Sequence, residues 1–380
     1  MELPDFRPST NYEGEDMEGL KFPYPPINYQ SGQAKVVEEV SVPPPADYEG
    51  RVSTHPVLNL KINKNVPLTP LEPISYEDRL EGADQVKLSK AEIEHFKSQG
   101  FIVKRGLVND KEGLRKIEDY FWEHVPDYYM KRDEISTWSD RGEKLTTEDS
   151  QCLGKVGGNS FKFRSPTRFG LENWLLALTT NHPNVQQVVG QFIGTPIRPT
   201  QRVRGIYGIA PLAEDEPKRL GPHVDPIPSY LSAMVLINEI PPRCGGFTVW
   251  PGSHILLHPT WDACHSTKIS ATDRLMVFFN EFDRIVSNVS PVEFSGSPGD
   301  VVFWHPRLIH SGGINFSAID DKPRIRIVVP CDFQKGGLSF FDDVEFFGPD
   351  KTNQWWVDAF NFTEDTEVPT KDNLWQDWVI

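Results

Sequence analysis

Residues 220–231 read LGPHVDPIPSYL, and the tripeptide His223-Val224-Asp225 sets an imidazole and a carboxylate two residues apart. In extended backbone, side chains at i and i+2 project to the same side, so this pair can offer a nitrogen and an oxygen to one cation. The pair stands where the polar stretch APLAEDEPKRLGP gives way to the apolar run YLSAMVLINEI, a pattern that belongs to the rim of a sheet. Alone, an H-x-D tripeptide is a weak signal, since chance supplies one in about every second chain of this length and composition. A third ligand from a different strand would complete the two-histidine, one-carboxylate face that suits non-haem Fe(II) and leaves three coordination positions open.

The candidates for that ligand are His254, His258, His265, His305 and His310. His310 is the best placed: it ends the run DVVFWHPRLIH, just before the flexible SGG, and can lie at the same rim as His223. His305 has the opposite parity and precedes Pro306, so at most one of the two points inward. His254, in PGSH, suits the hydrogen bonding of a tight turn, and His124 suits a helix surface. Beyond His310, the segment PRIRIVV puts Arg324 and Arg326 on one face of the next strand. Two arginines inside an apolar barrel are costly unless an anion meets them, and a dicarboxylic cosubstrate would do so through a bidentate pair. The competing reading turns both to solvent from an edge strand.

The elements that would position these residues come in two blocks. Before residue 197 the signals are helical: Ser89 with Glu92 forms a capping-box pattern ahead of a helix that Gly100 stops, KEGLRKIEDYFWEHV carries one apolar face, and HPNVQQVVGQFIG has Pro183 in its first turn and Gly194 at its end. After residue 197 come at least six short runs rich in β-branched and aromatic residues, separated by Gly, Pro and Asp turns. Helices followed by strands predict a mainly β fold with flanking α: a double-stranded β-helix (jelly roll, cupin-like) core over about residues 197–334, with the N-terminal helices packed on the sheet. Residues 1–85 read as a separate proline-rich extended arm, 12 of the 33 prolines falling within residues 1–73, and residues 86–380 as the folded domain. The arm's Phe6, Tyr12, Phe22, Tyr24, Tyr29 and Tyr48 could lie over the body or mediate self-association.

Composition narrows the partners. A net charge of −15 disfavours nucleic acid and anionic membranes, and no apolar run approaches the roughly 20 residues of a membrane span. Four scattered cysteines without a CxxC, and an acidic N-terminus without an apolar signal region, lead to the expectation of a reducing, cytoplasmic setting.

Taken together, LSKAEIEHFKSQGFIVKRGLV, the HPNVQQVVGQFIG helix, GPHVD, GGFTVWPGSH and GDVVFWHPRLIHSGGINFS with the arginine after it resemble, over about residues 86–334, the phytanoyl-CoA dioxygenase family of Fe(II)- and 2-oxoglutarate-dependent oxygenases. The resemblance implies that His223, Asp225 and His310 hold Fe(II), that Arg324 binds the distal carboxylate of 2-oxoglutarate, and that O2 and a small-molecule substrate complete the reaction. Two departures bear on this. The sequence Ala318 to Lys322 places Arg324 fourteen residues after His310, farther than the family pattern, which keeps Arg326 as a substitute; and HSGG replaces the commoner H-G-S-G order, which leaves the part of Ser311 beside the arginine open. Asp225, occupying a metal position, favours hydroxylation over halogenation, with oxidative desaturation or cyclisation as the alternative outcome. For the substrate, expected to be a small carboxylated metabolite, the candidate contacts are Arg204, Tyr207, Arg219 and Trp304. Two other classes compete with the oxygenase: a cupin-like enzyme using Zn or Mn, and a catalytically silent scaffold acting through the arm.

Overall fold

The computed structural model describes residues 86–139, residues 146–336 apart from segments that include 212–221, 225–229, 261–280 and 319–322, residues 372–380, and three two-residue strands within residues 52–70. Those strands are β1 (Val52–Ser53), β2 (Leu60–Lys61) and β3 (Thr69–Pro70). Next come α1 (Lys90–Gln99), β4 (Phe101–Lys104), α2 (Lys111–His124), the short α3 (Ser136–Ser139), β5 (Leu153–Lys155), β6 (Ser160–Phe163), α4 (Asn173–Leu178) and α5 (Pro183–Ile193). The β-rich part follows, with β7 (Ile206–Ile209), β8 (Leu231–Leu236), β9 (Phe247–Val249), the short α6 (Ser253–Leu257), β10 (Val292–Phe294), β11 (Val301–Trp304), β12 (His310–Gly312) and β13 (Arg326–Phe333).

Local chemistry explains the helix ends. Ser89 Oγ accepts from the Glu92 amide while the Glu92 carboxylate accepts from the Ser89 amide, and Gly100 adopts φ of 87°, a left-handed turn that a side chain would resist. Asp110 caps α2 through the Gly113 amide, and α5 starts on Pro183 and ends at Gly194, where the sequence places them. The apolar stripe of α2 buries Leu114, Ile117 and Phe121; α5 buries Val185, Val188, Val189 and Phe192.

The strands form a seven-stranded antiparallel sheet in the order β4-β11-β8-β13-β7-β6-β5 and a four-stranded one in the order β12-β9-β10-β3. The second is antiparallel except where Thr69–Pro70 runs parallel to Val292–Glu293, so a piece of the proline-rich region adds an edge strand. The large sheet is covered on both faces. Val235, Phe303, Ile327 and Val329 share one apolar cluster with Phe96, Phe121 and Phe192 of the helices, whereas Met234, Leu236, Val302, Trp304 and Val328 share another with Phe247, Val249 and Phe294 of the small sheet. Neighbouring residues along each strand therefore serve opposite clusters, and β8 is buried at every position because neither face meets water. Phe303 is fully buried between sheet and helices. Phe303→Ala is expected to lower stability by about 3–5 kcal/mol, measured by urea denaturation with the slope unchanged; a loss below about 1 kcal/mol would contradict this packing.

One expectation about the strands changes. DVVFWHPRLIH is two elements rather than one: β11 ends at Trp304, the Leu308 amide closes a turn on the His305 carbonyl, and His310 opens β12 in the other sheet. Pro306 has no amide hydrogen to give a ladder, which is why the chain leaves the large sheet there. Among the described residues no helix is long and apolar enough to cross a membrane.

Candidate metal and cosubstrate site

His223 and His310 come together through the backbone itself. The His223 amide donates to the His310 carbonyl and the His310 amide to the His223 carbonyl, each at 2.9 Å, an antiparallel bridge between residues 87 positions apart. Their rings lie 4.5 Å apart between centroids, both buried. His310 Nδ1 donates to the Leu308 carbonyl at 2.9 Å, so Nε2 is the nitrogen a metal would take, the arrangement of a metal-binding imidazole whose other nitrogen is held by a backbone oxygen. Phe247 and Trp304 pack against the same ring, with centroids 5.3 and 5.6 Å away. Asp225, the carboxylate of the tripeptide, lies outside the described residues, as does Arg219. Among the described residues, accordingly, no group of three metal-ligating side chains forms. Two imidazoles, with a carboxylate two residues along the chain from one of them, are the donor types that a divalent iron accepts, so these residue types fit that ion.

The two arginines separate. Arg324 precedes β13 and is exposed, its amide donating to Ser317 Oγ and its carbonyl accepting from Asn315 Nδ2. Arg326 is the first residue of β13 and is 3% exposed, with its guanidinium donating to the Gly245 carbonyl at 2.8 Å and to Met234 Sδ at 3.2 Å. The expectation that both share an inward face is thus corrected: the Asn315 and Ser317 side chains hold Arg324 outside the ladder, and alternation applies only once the strand has begun. Ser311 is buried and its hydroxyl donates to the Gly312 carbonyl. Being adjacent to His310 and Gly312 in β12, it takes the opposite side of the strand. Gly312 is the residue that faces the arginine, since a β-carbon there would stand 3.6 Å from the Arg326 guanidinium.

A second polar level lies farther along β13. Arg204 grips Asp332 through two hydrogen bonds of 2.7 Å, Ser232 Oγ donates to the same carboxylate at 2.8 Å, and the guanidinium carbon stands 5.9 Å from the centre of the Trp304 ring. Register aligns these groups, because Trp304, Ser232 and Asp332 pair across β11, β8 and β13. Tyr207 lies at another level, paired with Val328 on one side and Lys162 on the other, and the buried Lys162 ammonium sits 5.1 Å from its ring centre. Lys162 and Asp332 were missed by sequence reasoning. The signal for Lys162 was a single lysine between aromatics in SFKF; Asp332 had none, because a carboxylate in PCDF reads as a strand end until Arg204 is placed against it.

His254, His258 and His305 belong to another environment. His305 stacks on Trp378 and meets Trp375 edge-on, and its Nδ1 accepts from the Arg307 amide. His258 Nε2 donates to Asn373 Oδ1 while Nδ1 accepts from the Arg307 guanidinium, and His254 Nε2 donates to the Lys97 carbonyl. Burial is the main reason that His254 and His258 are both pushed down to about 4 and His305 well below its ordinary range. All three are neutral at pH 7, and they anchor residues 372–380 to the body. Because the folded values lie below the unfolded value of 6.5, their contribution is complete above about pH 6.5 and is lost as pH falls toward 4. His254 alone accounts for about 3 kcal/mol of this decline. Urea denaturation is expected to show stability dropping between pH 6.5 and 4.5, more shallowly in His254→Asn; an unchanged slope in that variant would contradict it.

Comparison with known proteins adds the following. A family model described as Phytanoyl-CoA dioxygenase (PhyH) matches residues 96–325. A search of curated proteins returns no match. Among solved structures, similarity is found to the non-heme alpha-ketoglutarate-dependent carbocyclase SnoK from nogalamycin biosynthesis (16% identity, 66% of this chain and 85% of that chain, TM-score 0.42). It is also found to AviO1 from Streptomyces viridochromogenes Tue57 (17%, 67% and 98%, TM-score 0.38) and to HygX from Streptomyces hygroscopicus, solved with nickel and 2-oxoglutarate bound (14%, 67% and 89%, TM-score 0.38). These likenesses are too low to carry an argument about chemistry.

Proposed function

The chain belongs to the phytanoyl-CoA dioxygenase family, and on that premise we propose that it is an Fe(II)- and 2-oxoglutarate-dependent oxygenase that hydroxylates an unactivated C–H bond of a small, carboxylated molecule. The observation that carries the reading is the His223–His310 bridge, which unites two imidazoles from distant segments with one ring already oriented by Leu308. His223, Asp225 and His310 would hold the iron. With 2-oxoglutarate and O2, that iron supplies the oxidant, and the cosubstrate leaves as succinate and CO2 while one oxygen enters the substrate. We take the two-sheet arrangement to be the double-stranded β-helix of such enzymes, with the histidine pair between its sheets.

The chain's own residues bind, orient and exclude water. Arg326, rather than Arg324, would receive the distal carboxylate of 2-oxoglutarate, since a guanidinium buried beside Met234 forms its strongest pair with a carboxylate. Phe247, Val249 and Met234 keep that space dry, which strengthens each charge interaction within it. Arg204, held rigid by Asp332 and Ser232, is a fixed positive group on the substrate side, with Tyr207, at another level of the sheet, and Arg219 as further candidates. Ring closure or desaturation would need the same residues and differ only in substrate pose.

The test is a mass-spectrometric screen of carboxylated small molecules with Fe(II), 2-oxoglutarate and O2. A gain of one oxygen in a substrate, matched by equimolar succinate, is the expected result; loss of two hydrogens would favour desaturation or cyclisation. If the purified protein neither binds Fe(II) nor forms succinate from 2-oxoglutarate with any candidate, the proposal fails.

A further inference from the structure

Trp304 is 1% exposed, and its indole Nε1–H is buried with no hydrogen-bond acceptor among the described residues. A buried donor left in this state is expensive, and an acceptor from outside the chain, an ordered water or a ligand, would relieve it. The Trp250 indole is in the same condition, but among the described residues the rings packed on His310 are those of His223, Phe247 and Trp304. The carboxylate nearest in register to Trp304 is Asp332, whose two oxygens are held by Arg204 and Ser232. That acceptor is committed elsewhere.

Register shows what lies beside the indole. Met234 pairs with Val302, two residues before Trp304 on β11, so Met234 and Trp304 are diagonal neighbours on the same inward face. Arg326 donates to Met234 Sδ at 3.2 Å, and the Trp304 ring lies 5.6 Å from that of His310. The inner face from the Arg326 guanidinium to the histidine pair therefore passes Met234 and ends beside the indole. A short molecule with a carboxylate on Arg326 and its other end at His223 and His310 brings oxygens of that second end next to Trp304.

We propose that the Trp304 indole N–H is a donor to the metal-side end of 2-oxoglutarate, so that the cosubstrate is held by a guanidinium at one end and an indole at the other. This moves Trp304 from the substrate, where the sequence places it, to the cosubstrate. The inference rests on the oxygenase reading above.

Trp304→Phe keeps an aromatic ring and removes the donor. Anaerobic titration of the Fe(II)-loaded protein with 2-oxoglutarate, followed by calorimetry, is expected to show about a ten-fold weaker Kd in W304F, with Fe(II) affinity unchanged. A Kd within two-fold of the wild type overturns the inference. Wild-type protein that binds Fe(II) but not 2-oxoglutarate overturns the oxygenase reading as well, a result distinct from the first. Should W304F fail to fold, the wild-type protein loaded with Zn(II) answers instead: of its ten tryptophan indole N–H resonances, one moving downfield on addition of 2-oxoglutarate supports the inference, and none moving overturns it.

Discussion

His310→Ala loses Fe(II) binding and all 2-oxoglutarate-dependent turnover while remaining folded, and His223→Ala and Asp225→Ala do the same. On the proposed ligand set, removing one of the three would leave a two-donor site, which costs more than the 10- to 100-fold that disturbing a ligand's supporting hydrogen bonds costs. A drop of at least about three orders of magnitude in Fe(II) affinity is therefore expected. The fold survives because the tie between His223 and His310 is made by backbone amides and carbonyls, which alanine retains. The remaining loss is that of packing against Phe247 and Trp304, about 1–2 kcal/mol. Iron titration together with a thermal melt separates the two effects. Succinate formation that persists in any of the three variants would remove that residue from the metal site.

Arg326→Ala raises the Kd for 2-oxoglutarate by about two orders of magnitude, and Arg324→Ala leaves it within two-fold of the wild type. The first figure follows from truncating one partner of a buried charge pair, worth about 2–5 kcal/mol, whereas an exposed arginine contributes 0–1 kcal/mol to any pair it makes. Arg326→Lys should fall between, keeping the charge and losing the two-pronged geometry. Anaerobic binding measurements on the Fe(II)-loaded protein check all three. If Arg324→Ala is the variant that loses affinity, the cosubstrate does not lie along the face shared by Arg326, Met234 and Trp304, and the role given to Trp304 goes with it.

What could be read without coordinates was what neighbouring residues decide among themselves. The Ser89–Glu92 capping box, the Gly100 stop, and the Pro183 and Gly194 ends of α5 are local bargains between a side chain and a backbone group a few positions away, and each forms as the sequence indicates. The same locality makes His223-Val224-Asp225 recognisable as a unit, and the order of motifs along the chain is enough to indicate the family.

Tertiary structure decided the rest, because it depends on where strands begin and which sheet they join. Parity could not choose between Arg324 and Arg326, which alternate alike; the side chains of Asn315 and Ser317 hold the first outside the ladder, and Asn238 brackets the chain by bonding to the Ile325 carbonyl and the Ile327 amide. Nor could it show that Pro306 sends His310 into the opposite sheet, that Gly312 rather than Ser311 faces the arginine, or that Asp332 pairs with Arg204 at 128 positions' distance. Periodicity along one strand specifies a side, whereas contact between strands is set by register, and register is settled only when both faces of the large sheet find their cover.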